Sequence, residues 1–392
     1  MRVASSRSSR RSCRTLTVDP SRAVAAIEQG IAAGAFPGAV LLIGRGDEIL
    51  FHEAFGHRSL EPSRTPMTKD IVFDISSLTK ALVTTTAVML LVREGKIRLE
   101  DRVTRFLQNF GVHGKTHVEI HHLLSHCSGL PAWRPYFKEV AKAEKKGTTR
   151  FSGLRGIRMM VFEAIHREKP EYAVGSKSVY SDLGFLLLGE LVELLTHQTL
   201  DKFCQDRIFR PLGLQTTGFI DLDRLRAQKL VPVADLIAPT ERCSWRGKIL
   251  CGEVHDDNAY AIGGVAGHAG VFTNARDIHT MVGRLAACAA DEDDFLPGSI
   301  VRDFWKRDAT VPDATWAHGW DTPSRTGSMA GNRASANTIG HLGFTGTSVW
   351  LDRDRGAHVV FLTNRVHPRR DNERIKTVRP AVHDAVWEAL DA

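Results

Sequence analysis

The stretch Phe73-Asp74-Ile75-Ser76-Ser77-Leu78-Thr79-Lys80 enters an apolar run that continues to Arg93 and stops at Glu94-Gly95, the pattern of a helix beginning near Ser77. A serine hydroxyl is a weak nucleophile until a base stands beside it. Lys80, three residues on, lies one turn away on the same helical face, within reach of the Ser77 hydroxyl. At a helix N-terminus the unpaired backbone N–H groups and the dipole favour developing negative charge. A buried lysine near other cations can also lose its proton near neutral pH and serve as the base. A chain of this serine and lysine content holds about one Ser-x-x-Lys by chance. On its own, the motif is equally a helix start capped by Ser76 or Ser77, with Lys80 in solvent.

Two further segments change that balance. Glu171 to Ser176 leads into Tyr180-Ser181-Asp182, immediately before the strongly apolar helix expected over Leu183 to Leu195. A tyrosine on such a loop can shuttle protons if cations depress its pKa. Then His341-Leu342-Gly343-Phe344-Thr345-Gly346-Thr347 precedes a strand pair at Ser348 to Leu351 and Ala357 to Thr363. A glycine-rich edge strand lets a substrate backbone lie alongside it, and one of its N–H groups can face an oxyanion.

Ser77-x-x-Lys80, Tyr180-Ser181-Asp182 and His341-x-Gly343, in this order, resemble the three motifs of the serine β-lactamase and penicillin-binding-protein superfamily. The likeness is to its class C β-lactamase, D-alanyl-D-alanine carboxypeptidase and esterase branch. Flanking text agrees: His122-Leu123-Leu124-Ser125-His126-Cys127-Ser128-Gly129-Leu130-Pro131, Pro211-Leu212-Gly213-Leu214, and His255-Asp256-Asp257-Asn258 followed by Gly263-Gly264-Val265-Ala266-Gly267-His268. The resemblance implies Ser77 as acylated nucleophile, Lys80 as its base partner and Tyr180 as proton relay. It also implies an oxyanion hole from the backbone N–H groups of Ser77 and Phe344, with Asp182, Gly343 and Thr345 at the substrate. His341 stands where many relatives have lysine, and is expected to offer positive charge or a hydrogen bond to a substrate carboxylate. No cofactor and no metal is implied.

Two departures carry chemical weight. Asp182 replaces the commoner asparagine, and an ionised carboxylate only accepts hydrogen bonds, so it recognises an amide less well and is free to pair with Lys80. A histidine at 341 is cationic only in part near pH 7. The expected function is therefore a serine hydrolase working through a covalent acyl-enzyme on an amide or ester, of D-alanyl-D-alanine carboxypeptidase or esterase type. The alternatives are a catalytically idle ligand-binding protein of the same fold and a weak β-lactamase.

The order of elements is a helix from Asp19-Pro20 to Gly34, strands at Ala39 to Ile43 and Ile49 to Phe55, a long helical block, two strands, and a helix with Val378, Val382, Val386 and Leu390 on one face. This order predicts an α/β (α+β) fold, with a sheet assembled from both chain ends. The resemblance implies an antiparallel sheet flanked by the N- and C-terminal helices, with a mostly helical domain inserted. The expected division is a basic arm at 1–17, a sheet domain from 18–75 and 256–392, and a helical domain at 76–255, with the active site between the last two.

Composition narrows the partners. The 392 residues are 43% hydrophobic and 25% charged, which excludes disordered, collagen-like and coiled-coil chains. Of the formal net charge of +7, five units sit in Arg2, Arg7, Arg10, Arg11 and Arg14, outside the expected fold, so no nucleic-acid partner is inferred. A second basic cluster from Arg134 to Arg158, including Lys142, Lys145 and Lys146, is expected to border the cleft and draw in carboxylate-bearing small molecules or short peptides. No transmembrane run and no secretory signal are visible, so the chain reads as cytoplasmic, or as periplasmic if its start site is mis-assigned. The six cysteines are too few for a disulfide scaffold. Cys243, Cys251 and His255 lack a fourth metal ligand, and His122 and His126 need an acidic third one.

Overall fold

The strands Gly38–Arg45 and Ala357–Thr363 are buried at nearly every position because helices cover both faces of their sheet. Side chains alternate between the two faces. Ala39, Leu41, Ile43, Val359 and Phe361 pack against Ala23 and Ile27 of the first helix, Ser21–Ala32, and against Val382, Val386 and Trp387 of the last, Ile375–Asp391. Val40, Leu42, Val360 and Leu362 face the other way, toward Ile278, Met281, Val282 and Leu285 of the helix Ala275–Ala289. The computed structural model describes residues 18–147, 153–229 and 232–392. The arm expected at 1–17 and Arg150 of the second basic cluster lie outside them.

Six strands form the main sheet in the order Thr65–Pro66, Glu48–Ser59, Gly38–Arg45, Ala357–Thr363, Ser348–Asp352, Thr338–Leu342, and every pairing is antiparallel. Both chain ends supply it. The expected glycine-rich edge strand is the outermost one, Thr338–Leu342. Its free edge is shortened by the loop before it: Asp321 exchanges two backbone hydrogen bonds with Gly340, at 2.8 and 2.9 Å. Only the strand end at His341 to Gly343 stays open toward the cleft.

Between the two sheet-forming regions the chain is mostly helical, and a small sheet ties it back. Phe73–Asp74 and Gly218–Phe219 both pair with Val271–Thr273. The helix expected over Ser77 to Arg93 begins instead as a wider turn, Thr79–Thr84, and becomes α-helical only at Thr85–Arg93. Threonines account for the difference. Thr85 places both its N–H and its Oγ1 (2.8 Å) on the Lys80 carbonyl, a residue further back than an α-helix allows. Thr84 Oγ1 donates to Gly267 O at 2.6 Å.

That last contact joins the helix after Ser77 to the glycine-rich turn, which in turn lies directly on the helix Asp182–Thr196. A Cβ on Gly267 would stand 2.1 Å from Phe185 O and 3.0 Å from Gly189 Cα. Gly267→Ala is therefore expected to cost about 1–3 kcal/mol through overpacking. Gly218→Ala, whose Cβ meets nothing within 4 Å, is expected to be near neutral. Urea midpoints of the two variants check this; equal midpoints would refute the close approach.

Candidate active site

The site is built from a strained turn. Ser76 has φ +49°, a left-handed conformation that a non-glycine residue adopts only when its surroundings impose it. Here Asp74 imposes it: its buried carboxylate accepts the Ser76 N–H at 2.8 Å through Oδ1 and the His255 N–H at 2.6 Å through Oδ2. Burial raises the Asp74 pKa against those two N–H groups. The turn after the edge strand docks on the same segment. Thr345 Oγ1 donates to Asp74 O at 2.8 Å and Thr347 Oγ1 to Ile75 O at 3.1 Å. A Cβ on Gly343 would sit 2.0 Å from Thr347 Oγ1 and 2.5 Å from Ile75 O, so only glycine fits there. The docking sets Phe344 and Ser77 on one cleft wall, and among the described residues neither backbone N–H is engaged.

Lys80 has no exposed surface. Its ammonium donates to Ser77 Oγ at 2.9 Å and to His268 O at 3.1 Å, and pairs with Asp182 Oδ1 at 2.7 Å. Burial alone would lower its pKa, but the Asp182 carboxylate, aided by Tyr180, more than offsets this and leaves it above the ordinary lysine value. The expectation of a lysine neutralised by neighbouring cations is thus overturned: the neighbour is an anion. Asp256 stands behind it, and its Oδ1 takes the Ala259 N–H at 2.8 Å and meets His268 Nε2 at 2.9 Å. Burial pushes Asp256 up, yet His268 and the Ala259 N–H hold its pKa well below the usual carboxylate range.

Tyr180 also departs from expectation. Burial raises its pKa, and Lys80 and Ser77, which its hydroxyl faces, only partly oppose the shift. The phenol is neutral. Its ring stacks on Trp316 with centroids 5.4 Å apart and lies 4.6 Å from His126. His126 is deprotonated by burial, with its Nδ1 accepting the Ser181 N–H at 3.1 Å. His341 is likewise no cation: burial, then Lys80, lowers its pKa to about 3. Its Nδ1 lies 2.8 Å from Leu342 O, so Nδ1 carries the proton and the buried, unpartnered Nε2 is an acceptor.

Ser77, Tyr180, Asp182, His341, Gly343 and Phe344 all line one cleft of about 600 Å³. A larger hollow of about 710 Å³ beside Phe36 and Arg374 holds no such set. Thr345, expected at the substrate, is turned inward with its hydroxyl spent on Asp74. The Arg134 to Arg158 cluster does not line the cleft. Arg134 pairs with Glu171 at 2.8 Å and Arg158 with Glu193 at 2.7 Å. The cleft's cations are Arg365, Arg370, Lys376 and Arg379. His122 and His126 do not converge either, since the Nδ1 of His122 accepts the Glu119 N–H at 2.9 Å. Cys243 and Cys251 are free thiols.

The sequence reading missed Asp74, Trp316, Asp321, Arg365 and Arg379. Arg379 alone left a signal, because it falls between Ile375 and Val382 on the buried stripe of the last helix.

Residues 23–383 match the family model described as Beta-lactamase. The chain is 31% identical over 366 residues to an Escherichia coli K12 protein whose name, D-alanyl-D-alanine carboxypeptidase, is itself provisional; the match covers 87% of this chain and 81% of that protein. It is 32% identical over 364 residues to the N-acetylmuramyl-L-alanine amidase of Bacillus subtilis 168, with 87% and 80% covered. Among solved structures, EstCE1, a hydrolase with promiscuous acyltransferase activity, superposes with a TM-score of 0.67 at 22% identity over 93% of this chain and 98% of that one. At that identity the likeness shows the fold.

One cleft carboxyl predicts a pH effect. Burial pushes Asp321 up to about 6. Its neutral form is favoured in the fold, so its contribution to stability is complete at low pH and is lost as pH rises through 6. The melting temperature of Asp321→Asn relative to wild type is expected to rise between pH 4.5 and pH 7.5. A constant difference would show that this carboxyl ionises as if in water.

Proposed function

This chain belongs to the β-lactamase family and is by that membership a serine hydrolase; from this premise we propose that Ser77 is acylated by an amide in a short, carboxylate-bearing peptide and then hydrolysed. The observation that carries the reading is the Ser77 hydroxyl held 2.9 Å from a buried lysine at the base of an open cleft. The cleft is read as lying between a sheet unit, 18–75 and 256–392, and a helical block, 76–255. The names of both curated relatives describe cleavage of an amide at alanine.

Because Lys80 rests as an ammonium, it takes the serine proton only as it gives one up. Asp182 Oδ1, 2.7 Å away, is the group placed to accept it. Ser77 Oγ attacks the carbonyl carbon while its proton passes to Lys80 and one Lys80 proton passes to Asp182. The new oxyanion faces the N–H groups of Ser77 and Phe344. Tyr180, a neutral phenol, gives its proton to the leaving amine and regains one from Lys80, which recovers its own from Asp182. Water then cleaves the ester by the same route in reverse.

Arg379 supports the carboxylate. It is only 5% exposed and has no acidic partner among the described residues; its Nε is unpartnered and its NH2 reaches Thr347 O at 3.4 Å. Burial, then Arg365, lowers its pKa to about 9, so it stays cationic at neutral pH. A buried cation without a counter-ion is costly, and a substrate carboxylate relieves that cost.

One observation favours a second reading, ester hydrolysis. Asp182 is occupied by Lys80 and cannot donate to an amide carbonyl, and Phe344 O already accepts from Arg365 Nε at 2.9 Å. Both groups are thereby unavailable to a substrate amide.

Turnover of a D-alanyl-D-alanine peptide, a muramyl-L-alanine amide and a p-nitrophenyl ester separates the readings, and intact-mass detection of an adduct locates the acyl group. Ser77→Ala is expected to abolish turnover and adduct together. An adduct on that variant would remove Ser77 from the mechanism. Asp182→Asn is expected to lower kcat at pH 7 by roughly 10²–10⁴-fold, with part of the loss regained as pH rises and Lys80 deprotonates unaided. Asp182→Glu is expected to restore part of it at constant pH. A change in KM alone would instead mark Asp182 as a substrate-binding group.

A further inference from the structure

A second cluster of side chains lies behind the cleft, outside the acylation chemistry. The segment Glu119 to Ser125 meets the loop 305–322, and three groups converge on one oxygen, Asp308 Oδ2. Ser125 Oγ donates to it at 2.5 Å, His121 Nδ1 lies at 3.2 Å and His318 Nε2 at 3.4 Å. On its far side His121 Nε2 lies 3.0 Å from Glu119 Oε2. We propose that His121 Nδ1, Asp308 Oδ2 and His318 Nε2 form a site for a divalent ion of the Zn²⁺ type, with Glu119 as the outer partner that orients His121.

Ligand chemistry and spacing carry the proposal. Two imidazoles and a carboxylate are the donor set that Zn²⁺ takes, and on a tetrahedral ion neighbouring ligands stand roughly 3.3–3.5 Å apart. The observed separations of 3.2 and 3.4 Å fit that edge, and the three ligand atoms all lie within 4.8 Å of one another. The same distances are long for charge-assisted hydrogen bonds to a carboxylate, which run to about 2.7–2.9 Å. A metal-bound histidine characteristically donates its other N–H to a carboxylate, and His121 has Glu119 in that place. The two carboxylates match the charge of a divalent ion. The ligand side chains are 18%, 8% and 14% exposed, sheltered yet reachable.

The site also has a mechanical consequence. Asp308 and His318 flank Trp316, which stacks on Tyr180, while Ser178 Oγ donates to Ser125 O at 3.3 Å. An ion here would fasten the loop bearing one cleft wall to the helix Ile120–Leu124. Without it, His121 still bridges the two carboxylates, at 3.2 Å to Asp308 and 3.0 Å to Glu119.

The test is titration of the chelator-treated full chain with Zn²⁺ and Co²⁺, followed by calorimetry and visible absorption. One Zn²⁺ per chain is expected, with a rise in melting temperature and intense tetrahedral Co²⁺ bands. His121→Ala and His318→Ala should each weaken binding roughly 100-fold or more, and Glu119→Gln about 10–100-fold. His197→Ala, on an exposed histidine, should leave it unchanged. Should the ligand variants fail to fold, carbethoxylation of the wild type, mapped by mass spectrometry, must show Zn²⁺ protecting His121 and His318 above other histidines. Equal Zn²⁺ affinity in wild type and His318→Ala, octahedral Co²⁺ spectra, or no selective protection would overturn the proposal and leave a proton-bridged cluster.

Discussion

An ammonium with no exposed surface sets the terms for this structure. Removing a charge from water costs several kcal/mol unless partners replace its solvation, and Lys80 draws one partner, Ser77 Oγ, from its own turn and two, Asp182 Oδ1 and His268 O, from distant segments. Each must then be held where Lys80 needs it. Asp182 is held as the first residue of the helix Asp182–Thr196, where the dipole favours a carboxylate. His268 is held because Gly267 lies against Phe185 and Gly189 of that same helix. The packing of the helical block therefore follows from one buried charge as much as from apolar burial.

A second buried ionisable group, the Asp74 carboxyl, does the same for the turn that presents Ser77. Asp74 fixes the left-handed Ser76 and the His255 backbone, while the Asp74 and Ile75 carbonyls receive Thr345 and Thr347. The two supports are joined through the 255–268 segment, since His255 bonds Asp74 while its neighbour Asp256 meets His268, whose carbonyl holds Lys80. The inward-facing Thr345 therefore matters although it touches no substrate. It anchors the turn that presents the Phe344 N–H.

The sequence made the frame and the Ser77–Lys80 contact legible for physical reasons. The short apolar strand runs and the apolar stripe of the last helix are local features, and Ser77 and Lys80 lie within one turn, where spacing alone brings side chains together. Charge states were not legible in the same way. Whether Lys80 keeps its proton depends on Asp182, about a hundred residues away, and the neutrality of His341 depends on burial that only the folded chain creates. The basic run from Arg134 to Arg158 misled because a charge count ignores partners and placement: Glu171 and Glu193 pair with Arg134 and Arg158 at its two ends. Arg379 is the opposite case, a single cation on an apolar stripe that composition hides and periodicity exposes.

The layout of charge across the cleft follows from these two findings. Asp182 and Asp256 lie on one side, around Lys80, while Arg365 and Arg379 lie on the other, beyond Phe344. A substrate carboxylate near the first side would meet anions, and near the second it would meet Arg379, which has no acidic partner among the described residues, with Arg365 beside it. On the proposed reading, a peptide bearing one carboxylate is oriented with its anionic end toward Arg379 of the last helix. Replacing asparagine by aspartate at 182 strengthens this polarity and keeps Lys80 charged. It also exchanges a hydrogen-bond donor for a proton acceptor. On the proposed reading, the site gives up recognition of the acyl amide at that point and gains a proton acceptor beside Lys80.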